Sequence, residues 1–265
     1  MRFRVTLCRW HALVIPAVGL LGGCSVYTPM QGAAPEIRHK GELEATGSWS
    51  LTNRVEAAIT YSPLNHLLVR AATGSKGGGH PLQDSASFSQ LNQYELAVGT
   101  YWPLGPHWLV GGLAGFGQAH AEAHYAFDGD TFIYFGSPAY HRFNAIYGKY
   151  SGEAYATWQP SPRTSMGLSY RVVQLRLTDV TDNGVPVAAA PILRYEPMLY
   201  LRWWPGSVEQ GLVQVQLAIG VSSTFGYDER STTARLDPAR QFKLSRGYTS
   251  LGLAFYPHLL WQHKR

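Results

Sequence analysis

One stretch of the chain concentrates side chains that could bind a metal: His120-Ala121-Glu122-Ala123-His124. On a strand, His120, Glu122 and His124 share a face, with neighbouring positions about 7 Å apart and the two histidines about 13 Å apart. One ion cannot bridge both rings. A metal site would therefore need further ligands from a neighbouring strand or from His141, Asp128 or Asp130. The expectation is a solvated strand end with no metal. Ser151 with His120 or His124 and a nearby carboxylate could be imagined as an acyl-transferring group, yet no spacing singles these residues out. Gly77-Gly78-Gly79 lacks the Lys-Ser/Thr that follows a phosphate-cradling loop. No catalytic residue and no cofactor is assigned, and the chain is read as non-enzymatic.

The elements that must position these residues alternate with period two from Gly41 onward. Between Leu212 and Ser222, Val213, Val215, Leu217, Ile219 and Val221 alternate with Gln214, Gln216, Ala218, Gly220 and Ser222. Similar alternation near 42–51, 55–62, 66–73, 89–102, 107–124, 143–158, 164–177, 192–204 and 245–256 brings the count to ten strands, and no segment reads as a helix. Many of these runs have 11 to 16 residues, enough to cross a bilayer when tilted and longer than strands of soluble sheets.

Aromatic residues followed by proline recur at strand ends: Tyr61-Ser62-Pro63, Tyr101-Trp102-Pro103, Trp158-Gln159-Pro160, Trp203-Trp204-Pro205 and Phe255-Tyr256-Pro257. Proline cannot donate to a strand ladder, and Tyr and Trp favour a membrane–water interface, so these five ends are expected at one rim as an aromatic girdle. Connections on the other side are long, about 74–88, 125–142, 178–191 and 223–244; only Leu51-Thr52-Asn53 is tight. The organisation predicted is an all-β, ten-stranded, antiparallel up-and-down transmembrane barrel over residues 41–257, with a tail at 258–265.

With apolar faces toward lipid, the lumen receives Glu42, Glu44, Glu56, Glu95, Glu153 and Glu196 together with Arg70, Lys149, Arg171, Arg194 and Arg202. In so narrow a barrel these charges are expected to pair across the interior and close it, through Arg70, Glu95, Glu153, Arg171, Arg194, Glu196 and Arg202. A narrow polar conduit is the rival reading.

Ahead of the barrel, Arg2, Arg4 and Arg9 precede a short apolar run from about Trp10 to Leu21 that contains Pro16 and is too short to span a bilayer. It ends in Leu21-Gly22-Gly23-Cys24, which resembles the lipobox of bacterial lipoproteins. That resemblance implies a signal peptide over residues 1–23, cleavage between Gly23 and Cys24, and a covalent lipid on Cys24 that puts the start of the chain on the periplasmic side; residues 24–40, without periodicity and with two prolines, read as an extended tether. Cys8 would leave with the signal, so the mature chain would hold neither a disulfide nor a free thiol. Three of the 22 Lys and Arg lie in the leader, leaving 19 against 17 Asp and Glu; so small a surplus, scattered along the strands, excludes nucleic acid as a partner.

The whole is similar to outer-membrane β-barrel lipoproteins, and Tyr61-Ser62-Pro63-Leu64-Asn65-His66 is similar to a turn of such barrels to which no activity attaches. Leu251-Gly252-Leu253-Ala254-Phe255-Tyr256 loosely resembles their carboxy-terminal recognition strand, although nine residues follow it here. The partners implied are outer-membrane lipids and the lipoprotein-sorting and barrel-assembly machinery. Function is expected to be structural or loop-presenting. Narrow transport, small-ligand binding and lipid modification are the alternatives.

Overall fold

The computed structural model describes residues 26–77, 88–127, 139–205, 211–235 and 237–262, so the leader, Gly23 and Cys24 lie outside the described residues. Ten long strands form the wall: β1 (Leu43–Ser50), β2 (Arg54–Tyr61), β3 (Leu68–Lys76), β4 (Phe88–Leu104), β5 (Trp108–Phe127), β6 (Ala139–Ser161), β7 (Thr164–Asp182), β9 (Ile192–Trp203), β10 (Val213–Thr224) and β11 (Arg246–Phe255). The two-residue strand β8 (Val185–Pro186) only folds back on the end of β7. Each wall strand pairs antiparallel with its neighbour in sequence, and β1 closes the ring on β11, with Ala45 opposite Phe255 and Ser50 opposite Ser250. The fold is a closed ten-stranded antiparallel meander barrel.

Alternation explains the wall. Val55, Ile59, Leu96, Val98, Leu168, Leu199, Leu217, Ile219, Leu251 and Leu253 all point outward and are exposed. Their neighbours in sequence point inward and are buried or half-buried. The β6–β7 register shifts twice: near the short turn between Trp158 and Ser161, and higher up at a bulge that pairs Ile146 and Tyr147 with Asp179 and Leu177 and leaves Thr178 without an opposite residue. Beyond it the buried side of β7 switches from Val173 and Leu175 to Val180, and the strand continues past the 177 expected from sequence.

Every aromatic–proline end lies at the short-turn rim, where β2, β4, β6, β9 and β11 finish. Tyr61, Trp102, Trp158 and Trp203 face outward there, joined by Trp108, which stacks on Trp158 at 6.2 Å. In two of the ends a neighbouring tyrosine turns in. Tyr101 bonds Ser62 (3.0 Å), and Tyr256 donates to Gln214 (3.0 Å).

The wall is uneven in height: β1 and β2 have 8 residues each, whereas β5 has 20 and β6 has 23. The tall strands rise on the long-loop side. There the β10–β11 connection carries two single helical turns absent from the sequence reading, α1 (Thr232–Arg235) and α2 (Arg240–Lys243); a third, α3 (Leu259–Gln262), follows β11. Phe242 of α2 is fully buried against Tyr147 and Phe143, edge to face at 6.2 and 6.4 Å, so this loop folds down over the upper mouth.

Inside the wall, three tyrosines lie across the glycines directly opposite them: Tyr155 over Gly111, Tyr200 over Gly167 and Tyr248 over Gly220. A Cβ at Gly220 would stand 2.5 Å from the Tyr248 ring. Gly220→Val is expected to destabilise the barrel by about 1–3 kcal/mol through overpacking. An unchanged urea midpoint would show that the ring moves aside freely.

The tether expectation is corrected by the fold. Residues 26–40 have no regular secondary structure, yet they are not an exposed leash: Val26, Tyr27, Met30, Ala34 and Ile37 are buried, inside the barrel. The segment enters β1 at the short-turn rim, where Gly41 donates to the Ser62 carbonyl (2.7 Å), and its start lies at the opposite end of the lumen.

Candidate functional site

Lumen-facing side chains hold the threaded segment along its length. At the upper end the Tyr27 hydroxyl donates to Glu196 on β9 (2.5 Å), its ring lies under the Arg194 guanidinium at 4.6 Å, and Tyr147 packs beside it. Among the described residues no carboxylate sits in the Arg194 fork. Its nitrogens donate to the Ser222 and Thr224 hydroxyls and to the carbonyls of Ser222, Phe242 and Leu244, which pins the folded-down loop to the wall. Lower down, Lys149 donates to Gln93 (2.8 Å) and meets the Met30 sulfur at 3.2 Å.

The central feature is a set of carboxylates that accept main-chain N–H groups of the segment. Glu56 on β2 takes Gln31 (3.0 Å), Glu153 on β6 takes Ala33 and Ala34 (2.8 and 3.3 Å), Glu44 on β1 takes Glu36 (2.8 Å), and Glu42 takes Arg38 (2.7 Å). Hydrogen bonds to an ionised acceptor are about twice as strong as neutral ones, and a buried N–H left unpaired is costly. Pro29 and Pro35 reduce the number of donors to be satisfied. Gly32 passes so close to the wall that a Cβ would stand 2.7 Å from the Ser169 hydroxyl and 3.2 Å from Glu153. Ala34 bends the path with φ +34°.

Ion pairs complete the lower lumen. Arg171 and Lys149 both face Glu95, Arg171 in direct contact and Lys149 at 3.9 Å. Arg202 makes two bonds to Glu44 (3.0 and 3.1 Å), a third to Gln216 (2.7 Å) and one to Tyr256 (3.1 Å), with Glu36 of the segment at 3.9 Å. Arg54 stands 2.9 Å from Glu56, a charge contact without hydrogen-bond alignment.

Of the seven side chains expected to pair across the lumen, the structure joins Glu95 to Arg171 directly. Arg202 pairs with Glu44 and Glu36, Glu153 with backbone and Ser169, Glu196 with Tyr27 and Ser222, and Arg194 with hydroxyls and carbonyls. Arg70 is half-buried beside a cavity of about 20 Å³, room for one water. Sequence reading missed Tyr27, Glu36 and Arg54 as lumen residues. Gly32-Ala33-Ala34 between two prolines was the available signal, since small side chains suit a tight passage. Glu153→Ala would orphan the Ala33 and Ala34 N–H groups and the Ser169 hydroxyl, and is expected to lower stability by about 1–3 kcal/mol. A melting profile identical to wild type would remove Glu153 from the set.

The chemistry-bearing candidates do not converge. His120, Glu122 and His124 project outward from the tall end of β5, where His120 bonds Asn144 (3.1 Å) and has Glu122 at 3.8 Å. Among the described residues no group of metal ligands forms. Ser151 faces the lumen and donates to Glu95 (3.3 Å), so the wall separates it from both histidines. A cavity of about 390 Å³ opens at the short-turn rim between Glu36, Arg38, Glu42, Gln159, Tyr256 and His258.

No family model matches the chain, and no curated protein does. Among solved structures, the chain is similar to the translocator domain of the autotransporter NalP from Neisseria meningitidis, at 10% identity and a TM-score of 0.42, covering 81% of this chain and 86% of that one. It is also similar to the Ralstonia pickettii toluene transporter TbuX, at 10% identity and a TM-score of 0.37 over 70% of this chain, and spans 63% of that transporter. The outer-membrane expressed OmpT of Vibrio cholerae follows at 12% identity and a TM-score of 0.30, with 77% and 56% covered. The barrel assignment rests on the strand order and register of this chain alone.

Proposed function

We propose that the protein is an outer-membrane barrel, lipid-anchored through Cys24, whose lumen is closed and whose role is structural or the presentation of its long loops. The observation that carries this reading is the polypeptide in the lumen: Gln31, Ala33, Glu36 and Arg38 are held through their main-chain N–H groups by Glu56, Glu153, Glu44 and Glu42, and the cavity beside Met30 to Ala33 is only about 20 Å³. The outward apolar residues, polar lumen and one-sided girdle support the membrane setting, because so large an exposed apolar surface is costly in water. Outer-membrane lipids and the lipoprotein-sorting and barrel-assembly machinery are the partners of this reading. No catalytic group and no cofactor belong to it.

The purified full chain, reconstituted in planar bilayers, is expected to give no discrete current steps. Regular steps of porin size would overturn the closed-lumen reading. A second reading, small-ligand binding, draws on the 390 Å³ cavity at the short-turn rim. It would be favoured by saturable ligand binding that Glu42→Gln abolishes while the barrel stays silent.

A further inference from the structure

The direction of the threaded segment has a topological consequence. It leaves β1 at the short-turn rim and passes Glu44, Glu153 and Glu56 in turn. It ends, as far as the described residues go, with Val26 and Tyr27 in an apolar cluster with Ala121, Ala123, Phe143, Val180 and Phe242. Ala123 pairs with Phe143 and Phe143 with Asp182, close to the long-loop ends of β5, β6 and β7. Cys24 is two residues upstream of Val26, and two residues of extended chain reach about 7 Å at most. The apolar band of an outer-membrane barrel is about 25 Å tall. A Cys24 tied to Val26 in this position cannot return to the short-turn rim.

We propose that the barrel carries its own amino terminus through its lumen and presents it on the long-loop face, so that an acyl group on Cys24 enters the outer leaflet. The uneven wall provides the way out, because β1, β2 and β3 have only 8, 8 and 9 residues while β5, β6 and β7 have 20, 23 and 19. A lipid leaving over this low side meets the membrane surface without crossing the barrel wall. The anchor is thereby moved from the periplasmic leaflet, where a tether would put it, to the cell-surface leaflet. This inference rests on the membrane reading above.

The test uses the full chain with its own leader, expressed in a bacterial outer membrane, with a short epitope inserted between Ser25 and Val26. Control epitopes go between Gly184 and Val185 on the long-loop side and between Leu64 and Asn65 on the short-turn side. Antibody should stain intact cells bearing the amino-terminal epitope at the level of the Val185 control, while the Leu64 control stains only after permeabilisation. Staining of the amino-terminal epitope only after permeabilisation overturns the proposal. If the insertion blocks folding, read as loss of the heat-modifiable band, Ser25→Cys labelled with a membrane-impermeant maleimide replaces it. Val185→Cys and Leu64→Cys are then its controls, and absence of label on intact cells counts against the proposal. Mass spectrometry of the amino terminus reads the lipid separately. An accessible but unacylated terminus supports the exit and overturns the lipid anchor of the preceding section.

Discussion

Deleting residues 26–38 should convert a silent barrel into an ion-conducting one. The wall does not depend on the segment for closure: ten strands pair around a full circle, and their outward residues contact none of it. A ten-stranded barrel is only modestly wider than the eight-stranded size that side chains alone can fill, so an extended polypeptide is a large share of the contents. Removing it takes away Tyr27, Met30 and Ile37, and returns Glu44, Glu56 and Glu153 to water. Ionised carboxylates in a wet lumen are well solvated, so the vacated path is expected to fill with water and ions. Discrete steps in planar bilayers are the expected result, with heat-modifiable migration on gels showing that the barrel still forms. A folded deletion variant that stays silent would mean that Phe242, the folded-down loop and the Arg171–Glu95 contact close the lumen without the segment.

Arg202→Ala should be the most destabilising single substitution in the lower lumen, by about 3–5 kcal/mol, because removing one partner leaves buried charge uncompensated. Its guanidinium stands between two carboxylates, Glu44 on β1 and Glu36 of the threaded segment, and also reaches the Ala34 carbonyl (3.4 Å), Gln216 and Tyr256. Without it the buried Glu44 faces Glu36 with no cation between them, and the join between segment and wall loosens. Lysine keeps the charge but not the two-pronged geometry, so Arg202→Lys is expected to recover only part of the loss. Arg70→Ala is the control. Arg70 is half-buried, and its removal should cost less than about 1 kcal/mol, as for exposed pairs. Urea midpoints of the folded band decide the matter. Equal midpoints for the two variants would show that Arg202 does not hold the lower lumen together.

Much of this architecture is local, and local features are legible in a sequence. Whether Leu217 or Gln216 faces outward is decided by parity along one strand, because successive side chains of a strand point to opposite sides. Proline after an aromatic marks the last residues of a strand, which placed five strand ends at one rim before any register was known. The same parity put Arg70, Glu95, Glu153, Arg171, Arg194, Glu196 and Arg202 on the inner face, where the structure has them. Their partners were a different matter. Arg194 and Arg202 lie on one strand and one face, yet one serves a loop and the other two carboxylates, because what stands across a barrel depends on tilt, stagger and whatever occupies the lumen. The parity switch at Thr178 was equally out of reach, since a bulge exists only relative to the neighbouring strand. The path of residues 26–40 was decided by tertiary structure alone. A chain without periodic faces has no buried side of its own; this segment becomes buried because a wall closes around it, and its N–H groups are satisfied by carboxylates, of which only Glu153 belonged to the ion-pair network expected from sequence.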